Sequence, residues 1–146
     1  MNVFQNQIDF VSQMEDQLFL SLQRAIESFG FVIKDFIVNK QLFQKGIDGN
    51  SKRLAGYSRI TIKIKRSKGQ PTDRTTLHDS ERFVGSIEIK AFSDRFVVSS
   101  NVPYVGKLVK QYGKDIFKLT DENLAEFLTK FYLPILKQYV DDKFTR

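Results

Sequence analysis

The sequence predicts an α+β fold, and three observations carry that expectation. Apolar residues recur at three- and four-residue steps through 8–44 and again through 124–139, as in helices with one covered face. Between them, 83–92 and 95–100 are short Phe-, Val- and Ile-rich runs separated only by Ser93 and Asp94, as in a hairpin. The length of 146 residues suits one domain with one core. The expected architecture is a long N-terminal helix, a small antiparallel sheet with a hairpin, a short helix and a C-terminal helix. These make a single domain over 1–146, with an extended basic loop at about 65–77.

In the N-terminal helix the stripe is Ile8, Val11, Leu18, Leu22, Ala25, Phe29, Val32 and Phe36, with Glu15 as its one polar interruption. Unbroken, a helix over 8–44 would be roughly 55 Å long, whereas a domain of this size has a radius of gyration of about 15 Å. Gly30 costs up to about 1 kcal/mol inside a helix. The helix is therefore expected to bend or break near Gly30, or else to project toward a neighbour.

"GIDGNSKRLAGYS", 46–58, has the Gly, Asp and Asn density of a turn-rich loop and ends the helix. The next stretch reads two ways. Ile60, Ile62 and Ile64 alternate with Thr61, Lys63 and Lys65 as in a strand, the reading that the local pattern favours, yet Ser58 is equally placed to cap a short helix.

"KIKRSKGQPTDRTTLHDSERF", 63–83, has almost nothing apolar between Ile64 and Leu77. Such a segment is expected to stay out of the core and to be solvated, to touch something anionic, or to be ordered by a partner. The hairpin follows, its connection right in length but without the preferred Gly. "NVPYVGKLVKQYG" puts Pro103 in a first helical turn and Gly113 at a C-cap. A brief extended piece, 116–119, then leads to Thr120 or Asp121 as cap of the last helix, whose broad face carries Leu124, Phe127, Leu128, Phe131, Ile135, Leu136 and Tyr139. Pro134 removes a backbone donor and crowds the Lys130 carbonyl, so a kink is expected by that point.

The net charge is +6, and its basic character is local. From 52 to 74 stand Lys52, Arg53, Arg59, Lys63, Lys65, Arg66, Lys68 and Arg74 against Asp73 alone, while from Asp115 onward acids and bases nearly balance. These eight cations are the candidate subunit-docking or DNA-facing residues; a uniformly basic nucleic-acid surface is not indicated. No stretch approaches the roughly 20 apolar residues of a membrane span. The first residues have no cationic start, apolar run or cleavage pattern of a secretory signal, so synthesis in the cytoplasm is expected.

With no Cys, disulfides, thiolate zinc sites and thiol catalysis are excluded. The lone histidine lies in "TLHDSERF", where His78, Asp79, Ser80 and Glu81 adjoin. Consecutive side chains point apart, so adjacency does not make a triad. One His and no spaced carboxylate loop leave no metal site, and "KGQPTDR" is no phosphate-cradling loop. No catalytic residue, metal or cofactor is expected.

Taken in order, "LFQKGIDGNSKRLAGYSRITIKIKR", "LHDSERFVGSI", "SSNVPYVGKLVKQYG" and "DIFKLTDENLAEFL" resemble the virion morphogenesis and tail-completion proteins of tailed bacteriophages. The matching positions are Tyr57, Ser58, Thr61 and Lys63 in the basic segment, and Asp79, Ser80 and Phe83 at a turn. Asn101, Pro103, Tyr104 and Gly113 match in the short helix, and Leu119 and Thr120 at the final cap. Each motif is short and degenerate, but their order runs across most of the chain. One departure is Glu81, where the family usually has the Gly of a turn with positive φ. Another is 59–65, often helical in the family where the alternation here reads as a strand.

The resemblance implies a non-enzymatic structural subunit of the virion neck or upper tail, a head–tail connector forming an oligomeric ring around the DNA channel. Its partners would be copies of itself and neighbouring neck, portal-adaptor or tail proteins, with the basic segment docking on a neighbour or touching genomic DNA. A small non-enzymatic nucleic-acid-binding protein using 52–74, with Tyr57 as a stacking ring, is the alternative. A partner-binding module using the long helical stripe is a further rival.

Overall fold

The N-terminal stripe forms one long helix that bends where the glycine stands. In the computed structural model, which describes the backbone of residues 3–144 and the side chains of 12–142, α1 spans Val3–Asp35. Ile8 and Val11 of the expected stripe lie outside the described side chains. Phe29 leaves helical geometry at φ −119°, ψ 20°, immediately before Gly30. The expected bend is therefore present, and the hairpin packs against the helix there, with Ile89 Cβ 3.5 Å from where a Cβ on Gly30 would sit.

Beyond the bend, Phe36–Lys45 continues α1 as a π-helix. Its i→i+5 register places Phe36 over Gln41 and Ile37 over Leu42, so all four face inward and are buried. Gly46 ends the segment in left-handed geometry at φ 63°, its N–H bonded to the Gln41 and Leu42 carbonyls. The expected turn-rich loop follows and is held against the rest of the chain. Gly49 N–H donates to Asp115 O at 2.8 Å, and a Cβ on Gly49 would overlap the Lys118 backbone, so only glycine fits there.

The remaining elements are α2 (Arg59–Ser67), α3 (Arg82–Gly85), β1 (Glu88–Ala91), β2 (Phe96–Ser99), α4 (Val105–Tyr112), a 3-10 turn (Lys114–Phe117), α5 (Asp121–Phe127), a π turn (Leu128–Tyr132) and α6 (Leu133–Phe144). The fold class is α+β as the sequence predicts. The strands pair antiparallel, Glu88 with Ser99 through Ala91 with Phe96, and Phe92 N–H bonds Arg95 O at 2.7 Å to close the connection around Ser93 and Asp94. A lone hairpin is marginal in water. Here Ile89, Ala91, Phe96 and Val98 pack on the core, while Glu88, Lys90, Val97 and Ser99 face out.

Two local expectations change, and a third takes a specific form. Residues 82–85 form a helical turn, α3, where the hairpin's first strand was expected to begin at Phe83, because Phe83 and Val84 are both buried and a strand would send one outward. The extended piece expected at 116–119 is instead a 3-10 turn through Phe117, which tucks Ile116 fully into the core; Lys118 after it is extended. The distortion expected by Pro134 takes the form of a π turn rather than a break in the helix. The chain stays helical through it, and the π turn just before it falls where the Lys130 carbonyl loses its usual partner.

The core gathers Ile33, Ile37 and Leu42 from the N-terminal arm, Ile87 after α3, Ile116 from the 3-10 turn and Phe127 from α5. Each such side chain contributes about 1.5–3 kcal/mol by leaving water. An aromatic seam ties the arms together, with Phe29 5.3 Å from Phe131 and Phe131 stacked 5.8 Å from Phe127. A polar clamp joins them as well. Gln41, 1% exposed, donates to Lys118 O at 2.9 Å and accepts from Thr120 N–H and Asn123 Nδ2, each at 2.9 Å. Thr120 caps α5, accepting from Asn123 N–H at 3.2 Å.

Candidate functional site

The ambiguous segment after Ser58 is a helix. Ser58 sits at φ −63°, ψ 160°, and its Oγ accepts from Thr61 N–H at 3.2 Å, capping α2. The strand reading of 59–65 is thus overturned: the cap satisfies an orphan helix donor, and helical spacing turns Thr61, Lys65 and Lys68 toward a shared cleft. It also presents Ile60 to solvent and leaves Ile64 half-exposed at the cleft's edge, flanked by exposed Arg59, Lys63 and Arg66.

Lys65 is only 5% exposed. Its Nζ donates to His78 O at 3.2 Å and Gln70 Oε1 at 3.3 Å, and lies 4.8 Å from the centre of the Tyr57 ring. Those three partners match the three donors of an ammonium group. Lys65, expected to dock a neighbour or face DNA, is instead an internal strut, because α2 turns inward the side chain that a strand would have left in water.

Neighbouring polar groups extend this strut. Lys68 Nζ reaches Asp79 Oδ1 at 3.0 Å, and Gln70 Nε2 donates to Asp79 O at 3.1 Å. The Lys68 hydrogen bond, aided by the charges of Lys68 and Lys65 and opposed by partial desolvation, holds the Asp79 carboxyl below its ordinary range. His78 is buried, with Nε2 3.1 Å from Val38 O and Nδ1 3.2 Å from Glu81 Oε1. Both nitrogens thus bind framework atoms, and the run His78–Asp79–Ser80–Glu81 builds a turn.

The basic segment is less detached than its composition predicts. Thr75 and Thr76 are buried; Thr75 Oγ1 donates to Ala55 O at 2.6 Å and Thr76 N–H to the Tyr57 hydroxyl at 2.9 Å. Arg74 donates to Phe43 O at 2.6 Å and pairs with Asp73, while Arg53 donates to Asp73 O at 2.9 Å. Small side chains with hydrogen-bonding hydroxyls enter the interior here without an apolar signal. Of the eight candidate cations, Arg53, Lys65, Lys68 and Arg74 are bound within the chain. Lys52, Arg59, Lys63 and Arg66 point outward.

Between α2, the turn and α4 lies a cleft of about 440 Å³. Tyr57, Thr61, Asp79, Ser80, Phe83 and Tyr104 line it, so six positions of the phage-protein resemblance, scattered over three stretches of chain, meet at one place. Ser58 acts from beneath as the α2 cap, while Asn101 and Pro103 precede α4 and Gly113 ends it at φ 89°. Glu81 adopts φ 63°, so the turn forms with positive φ although the residue is not glycine.

Of the opposite wall, sequence reasoning singled out only Tyr104. Tyr104, Leu108 and Tyr112 recur every four residues, a spacing that marks one face of α4, and this face closes the cleft. Burial, with Tyr57 nearby, pushes the Tyr112 hydroxyl above its ordinary range, keeping it neutral. Leu77, at φ 57°, is a further residue in left-handed geometry on the cleft lining.

Among the described residues no group of three or more His, Asp or Glu is placed to hold a metal ion. No described helix is long and apolar enough to cross a membrane. The chain matches no family model, and neither a curated protein nor a solved structure matches it.

Proposed function

We propose that this protein is a structural, non-enzymatic subunit of a tailed-phage particle, a tail-completion or head–tail connector protein of the neck or upper tail that assembles as a ring around the DNA channel. The observation that carries this reading is the meeting of the resembling motifs in one framework. Tyr57, Thr61, Asp79, Ser80, Phe83 and Tyr104 come from separate stretches and line one cleft. Ser58 and Thr120 cap α2 and α5. Residues that meet this way hold a scaffold in shape, and the internal bonds of Lys65 and His78 favour support over chemistry.

In this reading the outward cations of α2 dock on protein. Ile60 and Ile64 stand among them, 73% and 50% exposed, and an apolar pair at that exposure gains from being covered by a neighbour. Quantitative mass spectrometry of purified virions carrying this chain tests the assignment. A fixed small number of copies per particle is expected; absence from intact particles refutes it. Duplex DNA binding separates the two roles of the cations. Replacing Arg59, Lys63 and Arg66 with Ser should abolish assembly, whereas normal rings that have lost DNA binding, with a shallower salt dependence, would place these residues on DNA.

A further inference from the structure

We infer that the exposed face of α1 around Glu15, Leu18 and Phe19 in one copy docks on the exposed face of α2 in the next, so that copies join head to tail. The inference deepens the ring reading and rests on it for closure, but not for the contact itself. Two unpartnered surfaces carry it. From 12 to 20 no residue of α1 is buried, and Leu18 and Phe19 are 40% and 48% exposed beside exposed Glu15 and Asp16. Residues 1–23 contain Asp9, Glu15 and Asp16 and no Lys or Arg. On α2, Ile60 and the exposed half of Ile64, which also lines the cleft, form the apolar centre; Arg59, Lys63 and Arg66 surround it, with no ion pair among the described residues, and the element holds no acid.

These surfaces are complementary in charge, apolar content and size. Glu15, Leu18 and Phe19 fall on one helical face, as do Ile60 and Ile64. Residues 12–20 of α1, seven of them exposed, and the nine residues of α2, six of them exposed, are each about 13 Å long. Within one molecule the two surfaces belong to separate regions. α1 runs beside α6 and the π turn, with Ser21 Oγ 3.5 Å from the Tyr132 hydroxyl, whereas α2 borders the cleft. Two different patches of one chain that fit each other make a heterologous contact, which builds closed rings when the rotation closes and open chains when it does not.

Two full-length variants test this, each changed only at exposed positions: Glu15→Lys with Phe19→Ser, and Lys63→Glu with Ile60→Ser. Circular dichroism and melting should match the parent. Native mass spectrometry and sedimentation should show self-association of each weakened at least about tenfold. Mixed one to one, they should form heterodimers that grow no further, because each retains the surface the other lost. Either variant assembling like the parent, or a mixture that stays monomeric, would overturn the contact while leaving a ring through other surfaces open. Parent oligomers that are open chains of variable length, blocked by both variants, would uphold the contact and refute the ring. A parent chain that stays monomeric at all concentrations would overturn both.

Discussion

Replacing Gln41 with Met removes a buried polar clamp while nearly keeping its volume, and its cost follows from the groups left behind. Three bonds disappear: to Lys118 O, from Thr120 N–H and from Asn123 Nδ2. At about 1 kcal/mol net for each, with the larger penalty of stranded buried partners set against the gain from a buried thioether, the expected loss is about 3 kcal/mol. For a chain of this length each kcal/mol moves the melting midpoint by about 2–4 °C, so the fall should be roughly 6–12 °C. Urea unfolding followed by circular dichroism measures it, and an unchanged m-value would show that the denatured state is unaffected. A cycle with Asn123→Ala should recover about 1 kcal/mol of coupling, because that bond is then already absent. A loss below about 1 kcal/mol would refute the argument, since it would mean that the stranded Thr120 N–H and Asn123 amide find water or other partners.

Two further outcomes follow from the turn after His78. At Glu81, in left-handed geometry at φ 63°, Gly should be more stable than Ala by about 1 kcal/mol, the reverse of their order at an ordinary helical position; thermal melts of the two variants decide it, and Ala equal to or better than Gly would contradict the strain. Because the folded state lowers the Asp79 pKa, chiefly through the Lys68 bond, its contribution is present above the unfolded carboxylate pKa and is lost as pH falls through the folded value. Asp79 is largely exposed, which limits the effect to under about 1 kcal/mol. The stability gap between the parent and Asp79→Asn should therefore close on acidification below about pH 4, and a gap unchanged down to pH 2 would contradict the linkage.

Much of the framework was legible because its signals are local. The stripe through Phe36, the bend at Gly30, the hairpin around Ser93 and Asp94, and the cap at Thr120 each rest on a few neighbouring residues whose backbone preferences and periodicity agree. The uneven charge of 52–74 was equally plain in the sequence. Other features depended on distant residues. Isoleucine and threonine favour a strand by propensity, and α2 is a helix because Ser58 caps it and Tyr57, Gln70 and His78 receive Lys65 from outside the element. Thr75, Thr76 and His78 are buried by carbonyls and a hydroxyl contributed from as far as Val38, so no apolar run announced them. By itself the sequence determined the class of the fold, its long helical arms and hairpin, and where its charge is concentrated, because these follow from short-range backbone preference and composition. Only the tertiary structure decided which cations are struts and which face outward, and that the scattered motif residues share one cleft, because burial and hydrogen-bond partners are properties of residues brought together from far along the chain.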